Sequence, residues 1–535
     1  MNGVRGVRVA VVAALGLGLL SVAASGVRFV GVGQTRPVSG HAMHARSALS
    51  ETSSLPPVLS YVPTYYRDVQ PILEANCAGC HTMGGIAPFA LNDPKSVADH
   101  ARAAQLAVQS RRMPPFLPGG ESPAFRDAMR LSDEDIAVIA NWSWAGAPMG
   151  KATDAKLISP RVKPSFDLTV DIGRDFQPQS DYTDEYRCFL IDPKLQDSRW
   201  LSGYDIAPGN RAIVHHVVIY QVTGRFVTEA RDLEARQDGR GGWPCFGGPG
   251  IGEEALRDVA YRAALSGGST SASAGSIELP DGLLGYVGSW VPGVSGVRFP
   301  AGTGVRLRPG AQLAVQVHYN LLAGQGRDRT AMSFQFDSSG KALKPLGLMG
   351  LAAPVEIPCS GVYPSLSSDP CHRDAAYKAV SQYQATWLTK LLQGGAIASY
   401  CHQQLPRAGD VVSGAYTTQC DFRVSRDALA VSTQGHMHTR GQSMKIEVNP
   451  GTPERFVALD IPRYDFHWQS SYFFEQPFTL RKGDVVRLTC RFDNTQAGQP
   501  WVDGKQSAPK YVVWGESTQD EMCVGNLQTV PLEGN

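Results

Sequence analysis

From about residue 165 onward, apolar and polar positions alternate in short runs separated by Gly, Pro, Asn and Asp. Residues 214–222, 312–319, 443–448 and 484–492 show it most clearly. A period of two turns alternate side chains to one face, so these runs predict half-buried β-strands. Helical periodicity is rare in this region, 375–393 being the main exception. Many short strands with turn residues between them predict all-β architecture, most simply two antiparallel sandwiches or jelly rolls over 165–345 and 346–535.

The pattern ahead of residue 165 is different. Residues 9–23 are a continuous apolar run behind Arg5 and Arg8, followed by Val22-Ala23-Ala24. Residues 1–25 thus read as a signal peptide, or as an N-terminal anchor if uncleaved. Residues 26–60 lack periodicity and read as a flexible lead-in in which His41 and His44 are idle. Residues 61–150 form a small helical domain. Its last helix opens at Leu131-Ser132-Asp133-Glu134-Asp135-Ile136, with Ser132 or Asp133 as N-cap, and runs to Trp142. Residues 151–165 read as a linker, and 266–276, rich in Ser, Gly, Thr and Ala, as a mobile loop.

Composition narrows the classes. The chain has 535 residues, 43% of them apolar, and a net charge of +1, so nothing points to nucleic acid as a partner. Ten cysteines are present. Eight are scattered and predict up to four disulfides in an exported, periplasmic chain, tethered to the membrane if the N-terminal segment is retained. The other two lie in Asn76-Cys77-Ala78-Gly79-Cys80-His81, the C-x-x-C-H attachment sequence for c-type haem. Cys77 and Cys80 would form the thioethers and His81 would be an axial ligand of one covalently attached haem c.

That domain resembles small bacterial cytochromes c. The matching residues are Ile86-Ala87-Pro88-Phe89, Arg111-Arg112-Met113-Pro114-Pro115-Phe116 and the closing helix to Ala147-Pro148. The resemblance implies Met113 as second axial ligand. Met83 is too close to His81 to reach the far face, and Met149 is the competitor.

Two further constellations have metal-ligand character. His436 and His438, in Gly435-His436-Met437-His438, stand at i and i+2 on an extended segment and so share a face. Met522, in Asp520-Glu521-Met522-Cys523, offers a thioether, a soft donor that favours copper over zinc. His215 and His216 are adjacent on a predicted strand, so binding one metal requires a bulge or the strand's end. His318 ends another strand and would complete an all-imidazole set.

The order His-His, His, His-x-His, Met resembles the copper type II, ascorbate-dependent monooxygenases, the peptidylglycine α-hydroxylating and dopamine β-monooxygenase family. The likeness spans roughly 165–530. Tyr186-Arg187-Cys188, Trp290-Val291-Pro292-Gly293, Pro300 to Gly304 and Gln316-Val317-His318-Tyr319 agree with it as well. The resemblance implies two coppers. His215, His216 and His318 would hold an electron-transfer copper, and His436, His438 and Met522 the catalytic, O2-activating one. The activity implied is hydroxylation of a C–H bond in a small-molecule or peptide-like organic substrate. It also implies disulfides Cys188–Cys245 and Cys490–Cys523, while the pairing of Cys359, Cys371, Cys401 and Cys420 stays open. His372, His402 and His467 read as structural or surface residues.

Two departures matter. Gln434 stands where the peptide-amidating branch has a carboxylate-binding arginine, and Val524 and Asn526 replace its partner asparagine and tyrosine. A Gln amide is a poor substitute for a bidentate guanidinium, so a peptidylglycine substrate is not expected. The fused haem offers electrons from a periplasmic donor in place of ascorbate. The alternative reading is a non-catalytic copper-binding, copper-sensing or electron-transfer protein on the same scaffold.

Overall fold

The computed structural model describes residues 57–532, apart from 84–86, 127, 156–164, 180–183, 237–238, 246–247, 253, 255–284, 293, 322–323, 382–394, 467, 503–504 and 516. The N-terminal apolar segment, most of the lead-in, the 266–276 loop, Ile86, Gly293 and His467 therefore lie outside the described residues.

Residues 65–144 carry the helices Gln70–Asn76, Pro94–Asp99, Ala101–Gln109 and Asp133–Trp144, joined by irregular segments. Ser132 caps the last of these, its side chain accepting from the Asp135 N–H at 3.0 Å. Asp133, Glu134 and Asp135 fill the first turn, where the helix dipole favours negative charge. Val69, Leu73, Val97, Ile139 and Trp142 form the core of this small unit.

The next region is two stacked sheets. One orders Leu168–Asp171, Ala331–Phe336, Arg199–Ala207, Thr303–Leu307 and Lys344–Pro345, with Val297–Arg298 also on Arg199–Ala207. The other orders Trp243–Pro244, Asp184–Ile191, Gln312–Asn320, Val214–Val222 and Gly285–Trp290. Leu201, Val217, Ile219, Val315, Val317 and Phe334 fill the space between them. Strand Gln312–Asn320 is central and buried on both faces, whereas Ala331–Phe336 alternates strictly.

The C-terminal sandwich pairs Gly347–Ala352, Val524–Pro531, Ala428–His436 and Ser471–Leu480 in one sheet. The facing sheet holds Ala415–Arg423, Val485–Asp493, Gly441–Val448 and Phe456–Ile461. The predicted helical stretch 375–393 is described only at its start, as Arg373–Val380.

The segment after Met113 is not confined to the helical unit. Phe125 bridges antiparallel to Phe474, and the Arg126 N–H donates to the Phe473 carbonyl at 2.8 Å. Phe116 and Phe125 pack against Tyr472 in the C-terminal core. Residues 116–126 thus extend the edge of that sandwich.

Four disulfides form: Cys188–Cys245, Cys359–Cys371, Cys401–Cys420 and Cys490–Cys523. The first and last are those the resemblance implied, and the other two close the open pairing. Cys490–Cys523 spans 33 residues and ties the two C-terminal sheets together beside Met522. By loop-closure entropy, replacing both of its cysteines with alanine is expected to cost about 3 to 4 kcal/mol. A urea midpoint unchanged from the parent would contradict this. No described helix is long and apolar enough to cross a membrane.

Candidate metal centres

The objection to His215 and His216 acting together is removed by a bulge. Val214 pairs with Tyr319 and His216 with His318, so His215 is the extra residue between them. Two residues opposing one turn both imidazoles to the same side. The ligand atoms of His215, His216 and His318 lie within 4.8 Å of one another. The ring of His318 is 4.9 Å from that of His215 and 4.7 Å from that of His216.

Asp184, on the neighbouring strand, fixes the tautomer of His318. Its Oδ1 is 2.9 Å from His318 Nε2. Burial pushes the Asp184 carboxyl up. Hydrogen bonds from His318, Thr518 and Asn320 outweigh this and hold it below the usual carboxylate range. An ionised carboxylate only accepts, so His318 Nε2 carries the proton and Nδ1 presents a lone pair. Nδ1 is buried without a hydrogen-bond partner among the described residues, on a side chain that is 0% exposed. Buried polar atoms are rarely left so, and a cation is the natural partner here.

The second set is assembled by register. His436 ends strand Ala428–His436 opposite Val524, and Gly435 faces Gly525. Beyond that last pair the two loops stay together: Glu521 accepts from the His438 N–H and the Asp520 carbonyl from its ring, one and two residues ahead of the buried Met522. The glycine pair has a steric cause. A Cβ at Gly435 would collide with Met444 Sδ, and one at Gly525 would come within 2.9 Å of Ile446 Cδ1. Met437 points the opposite way, into the core, and Tyr464 Oη clasps its backbone, accepting from N–H and donating to the carbonyl.

Both imidazoles again have one nitrogen occupied. Gln469 Nε2 donates to the Phe466 carbonyl, which orients Oε1 to accept from His436 Nδ1. His438 Nδ1 donates to the Asp520 carbonyl at 3.3 Å. Nε2 is therefore the ring nitrogen of each that could take a metal, in contrast to Nδ1 of His318. Burial pushes His436 down to about 4, against the Gln469 hydrogen bond, and pushes His438 and His216 well below the ordinary imidazole range. All three stay neutral, the ligating form, at neutral pH. Gln469→Leu removes the acceptor and frees the ring. It is expected to weaken copper binding at this set about 10- to 100-fold, read by titration against a chelator of known affinity.

Glu521 organises the loop beneath. Its carboxylate, 0% exposed, accepts from the backbone N–H groups of His438, Arg440 and Met522. Burial pushes it up to about 8 against these bonds and the Arg440 charge. Sequence reading quoted Glu521 only within its motif and missed Asp184, Gln469, Arg440 and Phe466.

The helical unit brings Cys77, Cys80 and His81 together in one turn. Cys77 and Cys80 take part in no disulfide, unlike the other eight cysteines. His81 Nδ1 donates to the Phe89 carbonyl at 3.0 Å, which leaves Nε2 for iron. These donors fit a c-type haem. Met113 and Met149 are both half-buried, whereas Met83 is 81% exposed. Arg211, four residues ahead of His215, donates to the Gly79 carbonyl at 3.3 Å. His372 has a structural role, capping helix Arg373–Val380.

Residues 412–528 match the family model of the copper type II ascorbate-dependent monooxygenase, C-terminal domain. No curated protein matches the chain. Solved structures with partial likeness include an allantoicase, with 10% identity over 64% of this chain and 81% of that one, TM-score 0.14. A fucolectin from striped bass (Morone saxatilis) serum has 8% identity over 65% and 84%, TM-score 0.13. A Paenibacillus xanthan lyase has 8% identity over 69% and 26%, TM-score 0.15. Likeness at that level carries no argument about fold or function. The C-terminal sandwich, over the stretch that holds His436, His438 and Met522, is thus similar to a copper monooxygenase domain.

Proposed function

We propose that the chain is a copper-dependent monooxygenase that hydroxylates a C–H bond of an organic substrate with O2, using two coppers and a covalently attached haem c. The observation that carries this is the placement of His436, His438 and Met522 within the matched stretch, with Nδ1 of each imidazole occupied and its Nε2 left to bind metal. Hydroxylation consumes O2, two electrons and two protons and releases one water. His436, His438 and Met522 would hold the copper that supplies O2 activation, and His215, His216 and His318 the copper that supplies one-electron transfer.

The chain's own residues prepare these sites. Asp184, Gln469 and the Asp520 carbonyl hold the three imidazoles in their ligating tautomers before metal arrives. The Met522 thioether favours the reduced metal. Gln434 donates to the Gln469 carbonyl at 2.9 Å, so the position used elsewhere to grip a carboxylate serves the scaffold here. Cys77, Cys80, His81 and Met113 would hold the haem, which would supply one-electron carriage between a periplasmic donor and the His215–His216–His318 set. The contact of Arg211 with Gly79 supports that route. Four disulfides suit an exported, oxidising location.

The test is metal content followed by isotope incorporation. Protein matured in a periplasm competent for c-type haem is expected to hold two coppers and one iron per chain. It should also place 18O from O2 into a product from a panel of uncharged organic substrates. One haem with no tightly bound copper would refute the proposal. Reduced protein mixed with substrate and O2 should show haem reoxidation in stopped flow, and haem that stays reduced through turnover would remove it from the reaction.

A further inference from the structure

Asp184 uses both of its oxygens, and they serve different sandwiches. Oδ1 accepts from His318 Nε2 and from Asn320 Nδ2, each at 2.9 Å, within the N-terminal sandwich. Oδ2 accepts from Thr518 Oγ1 at 2.7 Å, and Thr518 belongs to the C-terminal sandwich, four residues before Met522. The Thr518 carbonyl in turn accepts from Thr439 Oγ1 at 3.0 Å, beside His438. A short chain of hydrogen bonds therefore joins a ligand of one set to the two loops that carry the other.

A second link runs parallel to it. The Phe466 ring stacks on His215 with centroids 4.8 Å apart and meets His438 edge-on at 5.7 Å. One phenyl ring thus separates an imidazole of each set. Both links are buried: the Asp184 side chain is 9% exposed, and Phe466 belongs to the C-terminal core.

We propose that Asp184 is a positioning residue shared by the two copper sites, bracing the sandwiches through Thr518 so that the separation between the coppers is fixed in the resting protein. This rests on the two-copper reading. A carboxylate buried with a histidine needs only one oxygen to set that ring's tautomer. The second oxygen is spent on the opposite sandwich, where a serine or threonine hydroxyl meets it at the length of a charge-assisted bond. The two sites then behave as one closed unit and do not ride on independently moving sandwiches.

Thr518→Val separates bracing from ligation, because it removes only the hydroxyl and touches neither His318 nor a copper ligand. With both sites loaded with Cu(II), pulsed dipolar EPR of the full chain is expected to give one narrow copper–copper distance in the unmutated protein. Thr518→Val should keep two coppers but broaden that distribution, and Thr518→Ser, which keeps the hydroxyl, should restore it. In metal-free full-length protein, amide exchange at 518–522 should speed up about tenfold in Thr518→Val, the effect of losing one charge-assisted hydrogen bond. Asp184→Asn should broaden the distance as well and also weaken copper at the His318 set. An unchanged distance distribution and unchanged exchange in Thr518→Val would overturn the brace. Absence of copper from the unmutated protein would instead refute the function proposed above, and the exchange measurement would still decide the brace.

Discussion

Alanine in place of His438 is expected to remove one of the two coppers and lower product formation about a thousandfold or more, the scale set by losing a metal centre from a reaction that depends on it. The expectation rests on placement. His438 is almost fully buried, its backbone N–H is held by Glu521, and its ring is aimed by the Asp520 carbonyl. Nothing nearby in the sequence can substitute, because His436 and Met522 are already assigned to the set. Copper analysis should give one copper per chain, still at His215, His216 and His318, with the haem content unchanged. His215→Ala should give the complementary result, one copper retained at His436, His438 and Met522. A His438→Ala protein with two coppers and undiminished hydroxylation would place the O2 chemistry elsewhere.

The strands were legible because each sheet buries one face and leaves the other wetter, and alternation records that directly. Runs 214–222 and 484–492 fall on Val214–Val222 and Val485–Asp493 within a residue. What alternation does not record is register between strands. The bulge at His215 is a property of how Val214–Val222 lies on Gln312–Asn320, so the sequence could state only that a bulge or the strand's end was needed. The groups that orient the imidazoles were hidden for a related reason. Asp184 is 134 residues from His318 and Gln469 is 33 from His436, and neither has a local pattern that marks it. The 116–126 extension was hidden because it continues the Met-Pro-Pro-Phe stretch without periodicity, and its places to pair are the edge strands Ser471–Leu480, at Phe474, and Phe456–Ile461, at Asp460. Cysteines behaved differently. An even number in an exported chain predicted bridges, and the fold alone decided that Cys359 meets Cys371 and Cys401 meets Cys420.

Above pH 8, where the raised Glu521 carboxyl is ionised, Glu521→Ala is expected to be the most destabilising single substitution near the sites, by about 3 to 5 kcal/mol, because it strips a buried charge of its partner and leaves several donors without an acceptor. Three backbone N–H groups, of His438, Arg440 and Met522, point at this carboxylate. The Arg440 side chain is 1% exposed, and burial pulls its guanidinium below the ordinary range while Glu521 and Asp520 hold it up. Among the described residues its Nη groups have neutral acceptors, the Gln519 carbonyl and Gln499 Oε1. Removing Glu521 therefore leaves a cation in a dry site beside a loop whose amides have lost their anchor. Glu521→Gln should cost less, about 1 to 2 kcal/mol, since one oxygen still accepts and only the charge is gone. Both values come from urea unfolding of the metal-free chain, which keeps copper binding out of the comparison. If Glu521→Ala unfolds at the parent's midpoint, the carboxylate is not what holds the His438–Arg440 turn against the Met522 loop, and the geometry of that copper set must have another cause.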